Sequence, residues 1–209
     1  DESKVAQQFA DIIGANHTET ICGPNDALKM LPTLLKVYDE PFADNSAIPT
    51  TLVSRIARQK VTVALSADAG DEIFAGYNRY DYISKFENLL NRMPGFLKKS
   101  SAAILNKIPA SYIPILNKKQ LFYSRYEKMI SLLRDSSVEN MLINLTKQMN
   151  DSAISRLFLL PVKKLSTAFD SNELVKDYLS PLPYVMAVDY ETYLPDDILQ
   201  KVDRATMSV

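Results

Sequence analysis

Val61-Thr62-Val63-Ala64-Leu65-Ser66-Ala67-Asp68-Ala69-Gly70-Asp71-Glu72 is the stretch whose reading decides the fold. Val61 to Leu65 is apolar on both faces, the pattern of a central strand in a parallel sheet. It runs into Ser66 to Glu72, which opens a helix. A polar loop between the C-terminal end of a buried strand and a helix is where open α/β sheets place their ligands.

Towards the N-terminus, helical and strand signals alternate. Glu2 to Ile13 places Val5, Phe9, Ile12 and Ile13 on one helical face, and Gly14 stops it. His17 to Cys22 alternates as a short strand. Pro24, Asn25 and Asp26 start a helix with Leu28 and Leu31 on its apolar face; Pro32 restarts it, and Leu35 and Tyr38 continue that face. Glu40 to Ser46 reads as a loop ending in a helix N-cap. The next helix, Ala47 to Gln59, turns Ile48, Leu52, Val53 and Ile56 inward and carries Pro49 in its first turn.

From Tyr80 onward the chain reads as helices punctuated by Pro94-Gly95, Pro109, Pro114, Pro161, Pro181, Pro183 and Pro195. The fold class expected is α/β, helix-dominated, with a partial parallel sheet. Residues 1–90 form the α/β part and residues 91–209 the mainly helical part. Two strands are too few for a doubly wound sheet, so either strands escape this reading or the chain belongs to something larger.

Composition narrows the function classes. The 209 residues hold 24 Lys and Arg against 25 Asp and Glu, a formal net charge of −1. That gives no whole-chain attraction to nucleic acid or to an anionic membrane. No apolar run approaches the roughly 18 residues of a membrane span, and Asp1-Glu2-Ser3-Lys4 is no signal peptide. A single cysteine excludes an intrachain disulfide and fits a reducing compartment. Glycine occurs five times, without a Gly-rich nucleotide loop of the common kinds.

Asp68 and Asp71 lie three apart with Glu72 adjacent. Loop carboxylates at a strand end can hold Mg2+, which takes one or two carboxylates together with substrate phosphates, and a helix N-terminus beside them suits a phosphate. The plainer alternative is that Asp68 caps the helix while Asp71 and Glu72 complement its dipole. His17, the only histidine, supports no catalytic triad or two-histidine metal site and reads as structural. Cys22 reads as a small buried hydrophobe. Asp189, Glu191, Asp196 and Asp197 read as one helix end and the next helix start. Lys98, Lys99, Lys107, Lys118 and Lys119 make a basic middle near Tyr112, Phe122 and Tyr123, a weak basis for RNA binding.

Ala64 to Tyr80, ending Asp71-Glu72-Ile73-Phe74-Ala75-Gly76-Tyr77-Asn78-Arg79-Tyr80, resembles the hallmark segment of glutamine-dependent asparagine synthetases, Ser-Gly-(Glu/Asp)-Gly-x-Asp-Glu-(Leu/Ile/Val)-Phe-Gly-Gly-Tyr, often followed by Arg-Tyr. Tyr193-Leu194-Pro195-Asp196-Asp197-Ile198-Leu199-Gln200-Lys201-Val202-Asp203-Arg204-Ala205-Thr206-Met207-Ser208 resembles a second signature of that family. Tyr38-Asp39-Glu40-Pro41 to Ser54-Arg55, Asp1-Glu2-Ser3 and His17 are similar to it as well.

The resemblance implies the synthetase half of an amidotransferase, with an adenine-nucleotide α-hydrolase fold. Such a domain activates a carboxylate as an acyl-adenylate with Mg·ATP and releases pyrophosphate. Ammonia from a glutaminase domain in the intact chain then attacks. By the same resemblance Asp71 is the Mg2+ ligand, Asp68 acts in forming or consuming the adenylate, and Ser66 and Ala67 lie beside the nucleotide. Lys201, Asp203 and Arg204 organise the surroundings of the site; Lys201 also reads as one half of a surface pair with Asp197. Glu72 is read as structural. The expected partners are a small-molecule carboxylate and the glutaminase domain, in a cytoplasmic protein compatible with a homodimer, with no nucleic acid and no membrane.

The chain departs from the family at several points. Ala67, Ala69 and Ala75 stand where the family has glycine, and each methyl crowds a close backbone approach. Aspartate-specific members carry a Thr and an Arg where Phe42 and Asn45 align, which favours another carboxylate as competitor. The pyrophosphate loop Ser-Gly-Gly-x-Asp-Ser is absent and is expected before Asp1. The second signature stops at Val209. The expectation is therefore a fragment of a longer enzyme, inactive alone; a degenerate, non-catalytic module is the rival.

Overall fold

The computed structural model describes residues 3–108, 112, 122–147, 149, 151–160, 166–170, 174 and 180–209, with backbone alone at 122–124, 151–153 and 170. Asp1, Glu2, Pro109, Pro114, Lys118, Lys119 and Pro161 lie outside the described residues, as do the side chains of Phe122 and Tyr123. The chain divides into two compact units, one built from residues 1–66 and 199–209 and the other from 67–198.

The first unit is helical. It holds α1 (Ser3–Ile13), α2 (Pro24–Val37), α3 (Ala47–Arg58) and the C-terminal α11 (Gln200–Met207). α2 begins where expected: Pro24 sits in its first turn, where the missing N–H costs least, and the Gly23 N–H donates to Asp26 Oδ2 at 3.1 Å. Pro32 does not restart it, because the helix runs unbroken from Pro24 to Val37. α3 packs against α2 on one side and α11 on the other. Those neighbours decide its buried face, which is Ala47 and Thr51; Val53, expected inside, is exposed. Thr51 is accommodated because its hydroxyl donates to the Ala47 carbonyl at 2.7 Å.

The two expected strands are not found as strands. Residues 17–22 and 61–65 run without helix, and no β-ladder is present among the described residues. Ile21, Val63 and Leu65 are 81, 80 and 99% exposed. A strand exists through hydrogen bonds to neighbouring strands, and no described segment supplies them. The apolar face of α1 is uncovered for the same reason: Val5, Phe9, Ile12 and Ile13 all face solvent.

The second unit carries α4 (Gly70–Phe74), α5 (Asn78–Asn91), α6 (Gly95–Lys107), α7 (Phe122–Arg134), α8 (Val138–Thr146), α9 (Asp151–Leu157) and α10 (Pro181–Glu191). A 3-10 turn at Ala168–Asp170 packs on α10, and a π-helical turn, Leu194–Leu199, leads to α11. Ser137 caps α8, accepting the Asn140 N–H at 3.3 Å. The core lies where α10 meets α5 and α8: Tyr80, Ile83 and Leu90 pack with Met141, Leu142, Tyr184, Val185 and Val188. Each such apolar side chain contributes about 1.5–3 kcal/mol on burial. A smaller cluster joins Tyr126 and Ile130 of α7 to Leu105 of α6. The acidic run falls as expected, with Asp189 and Glu191 ending α10 and Asp196 and Asp197 inside the π-helical turn.

Candidate functional site

Asp68 is not the N-cap residue of α4. That position belongs to Ala69, in a left-handed conformation with φ 72°, whose methyl cannot cap the helix. The N-cap expected at Asp68 thus falls one residue later. Asp71 lies in the first turn of α4 with its side chain exposed and folded over Gly76, where a Cβ would overlap Asp71 Oδ1. The Gly76 N–H donates to the Asp71 carbonyl at 2.9 Å, and Ala75, at φ 59°, makes the reversal that brings it there. Two of the three alanines that replace family glycines therefore stand in the region of backbone that glycine prefers. Ala67 does not.

Behind α4 the side chains are buried. Glu72, 3% exposed, accepts the Tyr77 hydroxyl at 2.7 Å. Burial, then the Glu72 carboxylate, raises Tyr77 above the ordinary phenol range. Arg79 lies over the Tyr77 ring at 4.0 Å and the Tyr193 ring at 4.7 Å. Its Nε donates to Asp189 Oδ2 at 2.9 Å, and Nη2 contacts the same oxygen at 2.8 Å. Burial raises the Asp189 carboxyl above its ordinary value, although the Arg79 guanidinium opposes this. Burial works against the charge on Arg79, and Asp189 more than offsets it, so the guanidinium titrates above its ordinary value.

The first unit carries a second polar cluster. Lys201, which also read as one half of a surface pair with Asp197, is 5% exposed. Its ammonium donates to Asp44 Oδ2 at 2.7 Å and to Ser46 Oγ at 2.6 Å. Ser46 stands at the N-cap position of α3, but its hydroxyl donates to Asp44 at 2.7 Å rather than capping the helix. Burial of Asp44 is outweighed by Lys201 and Ser46, which hold its carboxyl below the ordinary value. The Tyr38 hydroxyl donates to the Lys201 carbonyl at 3.1 Å, and Phe42 stacks on Tyr38 at 4.7 Å. Arg204 pairs with Asp39 at 2.9 Å on the surface, and Asp203 is exposed.

The expected site residues are thus divided: Ser66, Lys201, Asp203 and Arg204 in the first unit, Ala67, Asp68 and Asp71 in the second. Ser66 and Asp68 are exposed. Cys22, expected buried, is exposed. His17 Nδ1 is 2.6 Å from Gln7 Oε1, which fits a structural role. Sequence reasoning missed Asp44, Ser46, Tyr193 and Asp189 as partners. Arg79 was legible only as the charged member of an aromatic run inside the first signature.

These features belong to a helix-dominated chain with an acidic helix start followed by a half-buried arginine. The family model for asparagine synthase matches residues 1–209, and the chain belongs to the asparagine synthase family. It is 30% identical over 216 aligned residues to "Asparagine synthetase (glutamine-hydrolyzing) 1" of Bacillus subtilis, covering 99% of this chain and 31% of that protein. It is 26% identical to a Mycobacterium bovis protein named "Putative asparagine synthetase (glutamine-hydrolyzing)", covering 99% of this chain and 30% of that one. A Methanocaldococcus jannaschii protein with the same name and the suffix 2 is 36% identical over 96 residues, 43% of this chain and 19% of its own. The chain therefore spans about a third of the length of the first two relatives. No solved structure matches it. Among the described residues no helix is long and apolar enough to cross a membrane.

Proposed function

We propose that this chain is part of the synthetase region of an ATP-dependent, glutamine-using ligase that activates a carboxylate as an acyl-adenylate. Family membership and two relatives named as glutamine-hydrolysing asparagine synthetases over 99% of this chain support the reading. The observation that carries it to particular residues is the placement of the acidic pair: Asp68 and Asp71 flank the start of α4, and both are exposed. In this reading residues 1–90 belong to the nucleotide-binding region, its exposed apolar segments completing a parallel sheet in the whole protein, and residues 91–209 to the helical part of the same domain. A glutaminase domain elsewhere in the protein supplies ammonia, and the protein works in the cytoplasm.

The donor set fits Mg2+. No cluster of three or more metal-binding side chains occurs among the described residues, and Mg2+ bound with substrate phosphates needs only one or two carboxylates. Asp71 is the residue that would hold the ion, which would there neutralise phosphate charge. Asp68 acts in forming or consuming the adenylate, and Ser66 and Ala67 line the nucleotide. Lys201 fixes the loop carrying Asp44, with Asp203 and Arg204 around it. A carboxylate is a poor electrophile at neutral pH, so the chain's task is to hold it against the phosphorus while charge is neutralised.

One observation favours an acceptor other than aspartate. Phe42, aligned with the acceptor-binding threonine of aspartate-specific enzymes, stacks on Tyr38 and offers no hydrogen bond. The test is carboxylate-dependent exchange of pyrophosphate into ATP by the full-length protein, run across a panel of acids. Exchange abolished by Asp71→Ala supports the reading. Failure to bind Mg·ATP at all sinks it in favour of a non-catalytic module, and best exchange with aspartate sinks the argument from Phe42.

A further inference from the structure

We propose that Arg79 is a positioning residue for α4, holding in place the turn that presents Asp71; the link to Mg2+ rests on the function proposed above. Arg79 pairs with Asp189 and lies over Tyr77, and its effect on the turn passes through Tyr77.

The geometry is a chain of short, stiff contacts. The Arg79 side chain is 20% exposed and faces a carboxylate, Asp189, that is 1% exposed. Tyr77, Tyr193 and Tyr80 surround the guanidinium at 4.0, 4.7 and 5.6 Å from their ring centroids. The Tyr77 ring meets Tyr80 and Tyr193 edge-on, at 72° and 75°. Cation–π contacts of this kind strengthen on desolvation, and a planar guanidinium stacks where an ammonium does not. Held between cation and rings, the Tyr77 hydroxyl is aimed at Glu72, the residue after Asp71. The Gly76 N–H closes the same turn on the Asp71 carbonyl. The second signature contributes through Tyr193, at the foot of α10, so the two motifs meet at Arg79.

Lysine keeps the charge beside Asp189 and loses the stacking plane, so Arg79→Lys separates positioning from charge. Tyr193→Leu removes one ring and leaves Arg79 and the α5–α8–α10 core, a second route should the first variant fold poorly. In the full-length protein, amide hydrogen exchange reads the clamp whatever the activity. Faster exchange confined to residues 70–77 in both variants is expected. Unchanged exchange there, or a uniform rise across α5, α8 and α10, overturns the proposal. Mg2+ titration of pyrophosphate exchange at fixed ATP reads the consequence: a requirement raised about 10- to 100-fold, as for loss of groups that orient a metal ligand. A wild-type Mg2+ requirement with only a lower melting temperature marks a merely structural residue and overturns the proposal. If the wild-type protein binds no Mg·ATP, the function proposed above fails, and the exchange pattern alone decides whether Arg79 positions α4.

Discussion

Lys201 and Asp44 lie 157 positions apart in sequence and meet at 2.7 Å, with side chains 7 and 14% exposed. The pair ties the C-terminal helix α11 to the loop that precedes α3, and Ser46 completes it as a relay. Breaking a buried pair from one side leaves a charge without its partner, at about 3–5 kcal/mol. This pair is part-buried and Asp44 keeps its bonds from Ser46, so Lys201→Met is expected to destabilise the first unit by a smaller amount, about 1–3 kcal/mol, and Asp44→Leu combined with it to recover most of the loss. Urea unfolding followed by circular dichroism measures both. A double variant no more stable than Lys201→Met alone counts against the pair as the cause.

Asp44 and Asp189 titrate in opposite directions, which separates them by pH. Asp44 has a folded pKa below 3.8, since Lys201 and Ser46 outweigh its burial. Its contribution is therefore full above pH 3.8 and is lost as pH falls through the lower folded value. Asp189 has a folded pKa above 3.8, set by burial. The folded state then holds the proton more tightly, so this group alone makes stability fall as pH rises from the unfolded value through the folded one. Asp44→Asn is expected to flatten the acid limb of the melting temperature against pH, and Asp189→Asn to remove a slope of opposite sign above it. Melting curves collected from about pH 2 to 6 decide this; the same sign of change in both variants refutes the assignment.

The two polar clusters were legible to different degrees. Lys201 stood out in the second signature, but its partner did not: Asp44 is one acidic residue in a loop, and nothing local marks a contact 157 positions away. The acidic turn was read correctly as the entry to a helix, yet its N-cap was misplaced, because Ala69 gives no sign of a left-handed backbone. The proline in the first turn marks the start of both α2 and α3, and α3 ends one residue before the expected Gln59, whereas Pro32 gives a false break inside α2. The apolar run at Val61 to Leu65 encodes burial without saying against what, and no described segment lies across it.

Ala69 and Ala75, at φ 72° and 59°, bracket α4. The left-handed conformation costs an L-residue about 1–2 kcal/mol, of which glycine gives back roughly 0.5–1 through its freer unfolded chain. Ala69→Gly and Ala75→Gly are each expected to stabilise the second unit by about 0.5–1 kcal/mol. Ala67→Gly, at a position without positive φ, is expected to be neutral or destabilising. Thermal unfolding of the three variants is the check; equal effects at all three positions discard the strain at Ala69 and Ala75.

Gly76→Ala isolates the placement of Asp71 from the stability of the fold. The backbone at Gly76 does not have positive φ, so alanine is conformationally allowed. Its Cβ nevertheless overlaps Asp71 Oδ1 and comes within 2.9 Å of Asp71 Cγ and 3.2 Å of its Cα. Because the Asp71 side chain is at the surface it can swing away, so the cost in stability is expected to stay within about 1 kcal/mol. The carboxylate, however, leaves its place. Gly95→Ala, with nothing within 4 Å of the added methyl, is the control. If Asp71 holds Mg2+, Gly76→Ala raises the Mg2+ requirement for pyrophosphate exchange in the full-length protein, by about tenfold or more, while Gly95→Ala leaves it unchanged. An unchanged requirement in Gly76→Ala means that the orientation of Asp71 does not limit metal binding, and the ligand must then be sought at Asp68.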